Sequence, residues 1–172
     1  MRLSEGCKVS YPLQGPCLIG PVVSKVIGGE RVKFHHLIPL GDGGAEFFVP
    51  FGRAPIAGVR RLLNKSEIPE VLDRLAQPPR AAASERLRAQ DHLRLVASGT
   101  ALDLADVIAL LTDIGSINRF HGGTLLEKAR RLLAREIAEV MGESESAAEA
   151  SIDDALAAGG RGRARPKLRS GA

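Results

Sequence analysis

A chain of 172 residues that is 44% hydrophobic has enough apolar surface for one ordinary domain or two small ones, which argues against wholesale disorder. The formal net charge of +4 is uneven: residues 1–79 carry ten basic against seven acidic residues, residues 80–158 nine against thirteen, and residues 159–172 five basic and no acidic. Aromatic residues are only 3%, so the packing falls to Leu, Ile, Val and Ala, and no apolar run approaches the ~18–20 residues of a membrane-spanning helix.

The first third reads as short strands broken by turns. The opening residues lack the apolar stretch of a signal peptide, and the protein is expected to be cytoplasmic. Lys8–Pro12 is β-like. Cys17–Ile27 is rich in β-branched residues, with Pro21 marking an edge, bend or bulge inside it. Cys7 and Cys17 are too few for a disulfide framework or a zinc site, and are expected as free thiols, buried or half-buried. Gly28-Gly29 followed by Arg31–Ile38 predicts a hairpin, because a two-residue turn needs positive φ. Residues 41–44 predict a second turn, Glu46–Pro50 another strand, and Ile56–Val59 a last short one. Many short strands of this kind predict a small β-barrel of about 60 residues.

Helical periodicity takes over from there. Ser66 is placed to cap a helix to about Leu75, with Val71, Leu72 and Leu75 on one face. Gln77-Pro78-Pro79 ends it as a stiff joint. Four helices follow: Ser84–Ala97, broken at Ser98-Gly99; Thr100 to about Ile114, with Asp103 three residues on; Thr124 to about Met141, with Glu127 in capping-box spacing; and Ser146–Ala158, with Glu149 likewise. Gly159-Gly160 leads into a basic tail. The fold class is therefore α+β: an N-terminal barrel over 1–64, a helix and linker over 65–79, a helical domain over 80–158, and a flexible basic tail over 159–172.

Catalytic signatures are missing. His35 and His36 are neighbours in a strand, so they point to opposite faces and do not chelate one metal; one half-buried and one exposed imidazole are expected. His92 and His121 stand alone, without ligand spacing. Asp42 sits in a glycine-rich turn that has neither the Lys-Ser/Thr of a phosphate loop nor a helix behind it. Asp153-Asp154 read as a solvated helix face. No enzyme activity, cofactor or metal is expected.

Binding remains. A small barrel exposes strand edges, and an exposed edge is a template for another protein's strand. In Glu46-Phe47-Phe48-Val49-Pro50, alternation puts Phe47 and Val49 on one face and Glu46 and Phe48 on the other. One phenylalanine therefore faces away from the core unless both faces are covered. The tail's Arg161-Gly162-Arg163-Ala164-Arg165 reads either as a minor-groove hook or as a solubilising extension.

Gly6-Cys7-Lys8-Val9-Ser10-Tyr11-Pro12-Leu13-Gln14-Gly15 resembles the Gly-Asp-x-Val-Val-Tyr-Pro-x-x-Gly opening of the CarD family of bacterial transcription regulators. Ile27-Gly28-Gly29-Glu30, Val49-Pro50, Ala57-Gly58-Val59-Arg60, Val71-Leu72-Asp73-Arg74-Leu75, Ser98-Gly99 and Glu127-Lys128-Ala129-Arg130 follow in that family's order. The resemblance spans about residues 3–158. It implies a Tudor-like barrel that binds the β-subunit lobe of RNA polymerase, largely by strand-edge pairing. It also implies a helical domain that touches promoter DNA and stabilises the open complex, without cofactor or catalysis, in a protein acting as a monomer. Lys25 matches a basic polymerase-contacting position, and Phe48 matches a second one that is often Arg. Together with Glu46, Phe47, Val49 and Pro50 they make up the implied polymerase site. The family's minor-groove Trp falls near Glu85 here, and this chain has no Trp. Arg88 matches the basic position after it, with Arg86 and Arg94 nearby, and His92 stands where Asn is usual. These arginines, with Arg161, Arg163 and Arg165, are the implied DNA contacts. Loss of the Trp leaves open an adaptor whose barrel docks another protein, or DNA binding driven by the tail alone.

Overall fold

A computed structural model describes residues 3–41, 44–54, 56–78, 89–98, 100–115 and 123–160. Five strands come first: β1 (Lys8–Tyr11), β2 (Gly15–Ile27), β3 (Glu30–Pro39), β4 (Phe47–Pro50) and β5 (Arg60–Arg61). Helices α1 (Ile68–Ala76), α2 (Ala89–Ser98), α3 (Ala101–Gly115), α4 (Gly123–Met141) and α5 (Glu145–Ala158) follow. The architecture is α+β. None of the described helices is long and apolar enough to cross a membrane.

The strands form one antiparallel sheet in the order β4-β3-β2-β1-β5, and its two outer strands are not joined, so the sheet is open. The Gly28-Gly29 turn has φ of 58° and 85° and closes the β2–β3 hairpin on the pair Ile27 and Glu30. Pro21 falls inside a register shift between Ile19 and Val22, where a residue without an N–H is tolerated. β1 is short and covers only Gly15–Leu18 of β2, with β5 on its other side, leaving the distal half of β2 without a neighbouring strand on that side among the described residues. Val9, Cys17, Ile19, Leu37, Val49, Ala54 and Val59 form the sheet's core, with Tyr11 and Phe47 against it.

Residues 56–58 form a turn rather than a strand, and the last strand is Arg60–Arg61. Gly58 holds φ 75° close against Pro12, where a Cβ would come within 2.7 Å of the proline ring, so the chain bends there instead of extending. Cys7 is exposed, not covered as expected, while Cys17 is buried; both are free.

The second core gathers Ile68, Val71 and Leu75 of α1 with Val96, Leu104, Ile108, Leu133, Ile137, Ile152 and Leu156 from the other four helices. α1 is thus part of the helical core. The N-cap position of α1 is Glu67 and not Ser66; a 3-10 turn over Lys65–Glu67 precedes it, and the Asn64 N–H at the start of that turn donates to the Glu67 carboxylate at 2.8 Å. Thr100 and Asp103 do form a reciprocal capping box, at 2.7 and 3.2 Å. α4 begins one residue before Thr124. α5 is capped by Ser144, which accepts from the Ala147 N–H at 3.2 Å, in place of Ser146. The reason lies just upstream. Gly142, at φ 74°, ends α4 through a bond from its N–H to the Ala138 carbonyl, and the chain re-enters a helix at once.

Sheet and helices interlock. Leu13, in the β1–β2 turn, adopts φ 61°, unusual for a branched side chain, and packs against the helical core. Arg60 of β5 grips Glu136 of α4 with two bonds of 2.7 Å, and the Leu63 N–H adds a third at 3.0 Å. Glu136 is 1% exposed, so three donors hold one buried carboxylate. Lys8 pairs with Glu139, and Arg135 donates to the Leu40 carbonyl at 3.2 Å. Within the helices, Arg74 pairs with the buried Asp106 at 2.9 Å.

Candidate docking site

β4 lies at the rim of the sheet, and its register on β3 sets what it shows. The Phe51 N–H donates to the Lys33 carbonyl at 3.0 Å, so the residues that bond to β3 are 47, 49 and 51 by alternation. Phe48 and Glu46 therefore turn their backbone groups outward. Pro50 has no N–H, and its carbonyl is taken by Arg53 at 3.0 Å. The exposed edge is short, centred on Phe48 and closed off by a proline.

Side chains divide as alternation requires. Phe47 and Val49 join the sheet core, with the Phe47 ring 5.1 Å from Tyr11. Phe48 takes the opposite face and is half-buried there. His36, directly across the ladder, stacks on it at 4.9 Å and 10°, and the Lys25 ammonium lies 3.3 Å from the ring centroid. A cation this close to an aromatic face is attracted by the ring quadrupole. Glu46 is exposed, its carboxylate 3.0 Å from His36 Nε2. The result is a Lys25–Phe48–His36–Glu46 cluster spread over three strands beside the open edge. It offers a cation, an anion and an aromatic ring to a partner, but no nucleophile paired with a base. Among the described residues, no group of three or more His, Cys, Asp or Glu side chains is placed to hold a metal ion.

The expectation of one exposed histidine does not hold. His35 is buried and stacks on Phe51 at 4.0 Å, and burial pushes its pKa below the usual 6.5. His36 is mostly covered, with 13% of its side chain exposed, because Phe48 lies over it. The Cys17 thiol is pushed up to about 11 by burial, partly offset by Arg135, which makes it a poor nucleophile at neutral pH.

The structure thus brings together Lys25, Glu46 and Phe48, and sends Phe47 and Val49 to the other face. Of the DNA-directed arginines, Arg94 is exposed on α2; Arg86, Arg88, Arg161, Arg163 and Arg165 lie outside the described residues, as do Glu85 and the tail. Sequence alone marks His36 only as a strand histidine and gives Arg60 and Glu136 no site role. His36 had a signal: with β3 and β4 antiparallel, a face-matched partner for Phe48 must come from β3. No known family model matches the chain.

Proposed function

We propose that this protein is a CarD-like transcription regulator, without catalytic activity, that docks on the β-subunit lobe of bacterial RNA polymerase and modulates open-complex formation. The observation that carries the reading is the Lys25–Phe48 contact at 3.3 Å. Two positions 23 residues apart, each matched separately to the family's polymerase surface, meet beside an open strand edge. The sheet would serve as the Tudor-like unit, with a lobe strand adding at Phe48 and side chains seated on the Lys25–Phe48 cluster. Replacing the family's usual Arg by Phe48 shifts the contact from charge to apolar area, with Lys25 keeping the positive potential beside it. The promoter contact is the weaker half, since the chain has no Trp to wedge into the minor groove.

Phe48→Glu tests the reading. An added carboxylate at the edge should abolish binding to the isolated β lobe while the thermal midpoint stays within a few degrees, because the ring is not part of the sheet core. Unchanged lobe binding would remove this surface from the account.

A further inference from the structure

The sheet has a second open edge, longer than the one at β4. On the side away from β3, β2 is paired only as far as Ile19, which exchanges bonds of 2.8 Å with Gly6 and Cys7. Beyond it, Val22–Ile27 has no neighbouring strand among the described residues. The two-residue turn makes Ile27 and Glu30 a hydrogen-bonded pair, so Ile27, Lys25 and Val23 bond to β3 by alternation. Val26, Ser24 and Val22 then point their N–H and C=O groups outward. That is three residues of free edge, against two at β4.

The side chains along this edge are those of a covered strand. Val22, Val26 and Ile27 are 51%, 69% and 56% exposed. Natural sheets blunt such an edge with charge or proline; here the only charge on the segment is Lys25. The arm formed by residues 21–35 carries Lys25, Arg31 and Lys33 against the single carboxylate of Glu30. Lys33 and Arg31 stand across from Ser24 and Val26 on one face, and Lys25 occupies the other.

From this geometry we infer that the β2 edge over Val22–Ile27 is a strand-addition site for an extended segment of a partner protein that alternates apolar and acidic residues. Carboxylates would lie on the face of Ser24 and Val26, toward Lys33 and Arg31 opposite them, and apolar side chains beside Val23 and Ile27 on the other face, where the Lys25 ammonium is turned over Phe48. A second copy of this chain is the poorer occupant, because antiparallel self-pairing brings two Lys25 residues and two cationic arms together. The inference does not depend on the polymerase reading, which uses the β4 edge and the Lys25–Phe48 contact.

The test uses the full chain, isotope-labelled, and a nine-residue peptide of alternating valine and glutamate. Saturable binding should slow amide exchange at Val22, Ser24 and Val26. A valine–lysine peptide should bind at least tenfold more weakly. Ser24→Pro removes an outward N–H without touching the β2–β3 ladder and should weaken binding at least tenfold. Val26→Glu, at an exposed position that the fold tolerates, should do the same by setting a carboxylate against those of the peptide. Absence of protection at these amides, or equal binding of the two peptides, would overturn the proposal. So would a dimer in sedimentation that Ser24→Pro dissolves, since it would assign the edge to self-pairing.

Discussion

The two ends of the sheet face opposite demands. At the β1–β5 end, Arg60, Lys8 and the Leu13 turn are tied to α4 and the helical core, and the buried Glu136 carboxylate accepts three hydrogen bonds. At the β4 and hairpin end no described helix packs on the sheet. Val22 and Val26 stand exposed, backbone groups point outward, and Phe48 and Phe51 are stacked on His36 and His35. In the proposed reading the open end presents the binding surface, and the tied end fixes that surface relative to the helices.

The largest expected effect lies in the helical core that anchors the tied end. Leu75→Ala, at a fully buried site, should cost about 3 kcal/mol in denaturant unfolding. A loss under 1 kcal/mol would mean that α1 is not part of that core. Next comes the tie itself. Glu136→Ala strips the partner from Arg60 and should cost about 2–3 kcal/mol. The double variant with Arg60→Ala should cost little more than the worse single one. Additive losses would show that the two residues act independently and that the sheet end is not held by this pair.

Effects at the bare end should be smaller. Gly29→Ala places a Cβ at φ 85° and should cost about 1 kcal/mol. His35 gives a pH signature. Its folded-state pKa lies below the free value of 6.5, so the unfolded chain binds more protons below that pH. Stability should be full above pH 6.5 and decline as pH falls from there toward the folded-state pKa. His35→Gln should remove that part of the slope. If the slope is unchanged in the variant, the His35–Phe51 stack is not what burial of this imidazole secures.

Much of the fold was legible because it is local. The Gly28-Gly29 hairpin, the Pro21 irregularity and the Thr100–Asp103 box each depend on a few adjacent residues whose backbone demands are specific. Alternation likewise separated Phe47 from Phe48. The errors share one cause. Ser66 and Ser146 have the right spacing for caps, but Asn64 and Ser144 lie where the chain actually turns, and only the neighbouring packing decides between them. The Arg60–Glu136 pair could not be read at all. It joins residues 76 apart, and Glu136 sits among alternating charges on a helix that looks solvated in sequence. For the candidate site, Lys25 and Phe48 were each visible through the family resemblance, but their contact needed the register of three strands.

The most direct measurement is a titration of the purified full-length protein against the isolated β lobe of RNA polymerase from the same source. The account predicts micromolar or tighter binding that Phe48→Glu abolishes. No detectable binding by a protein whose sheet is demonstrably folded would contradict it, and the bare end of the sheet would then belong to a different partner.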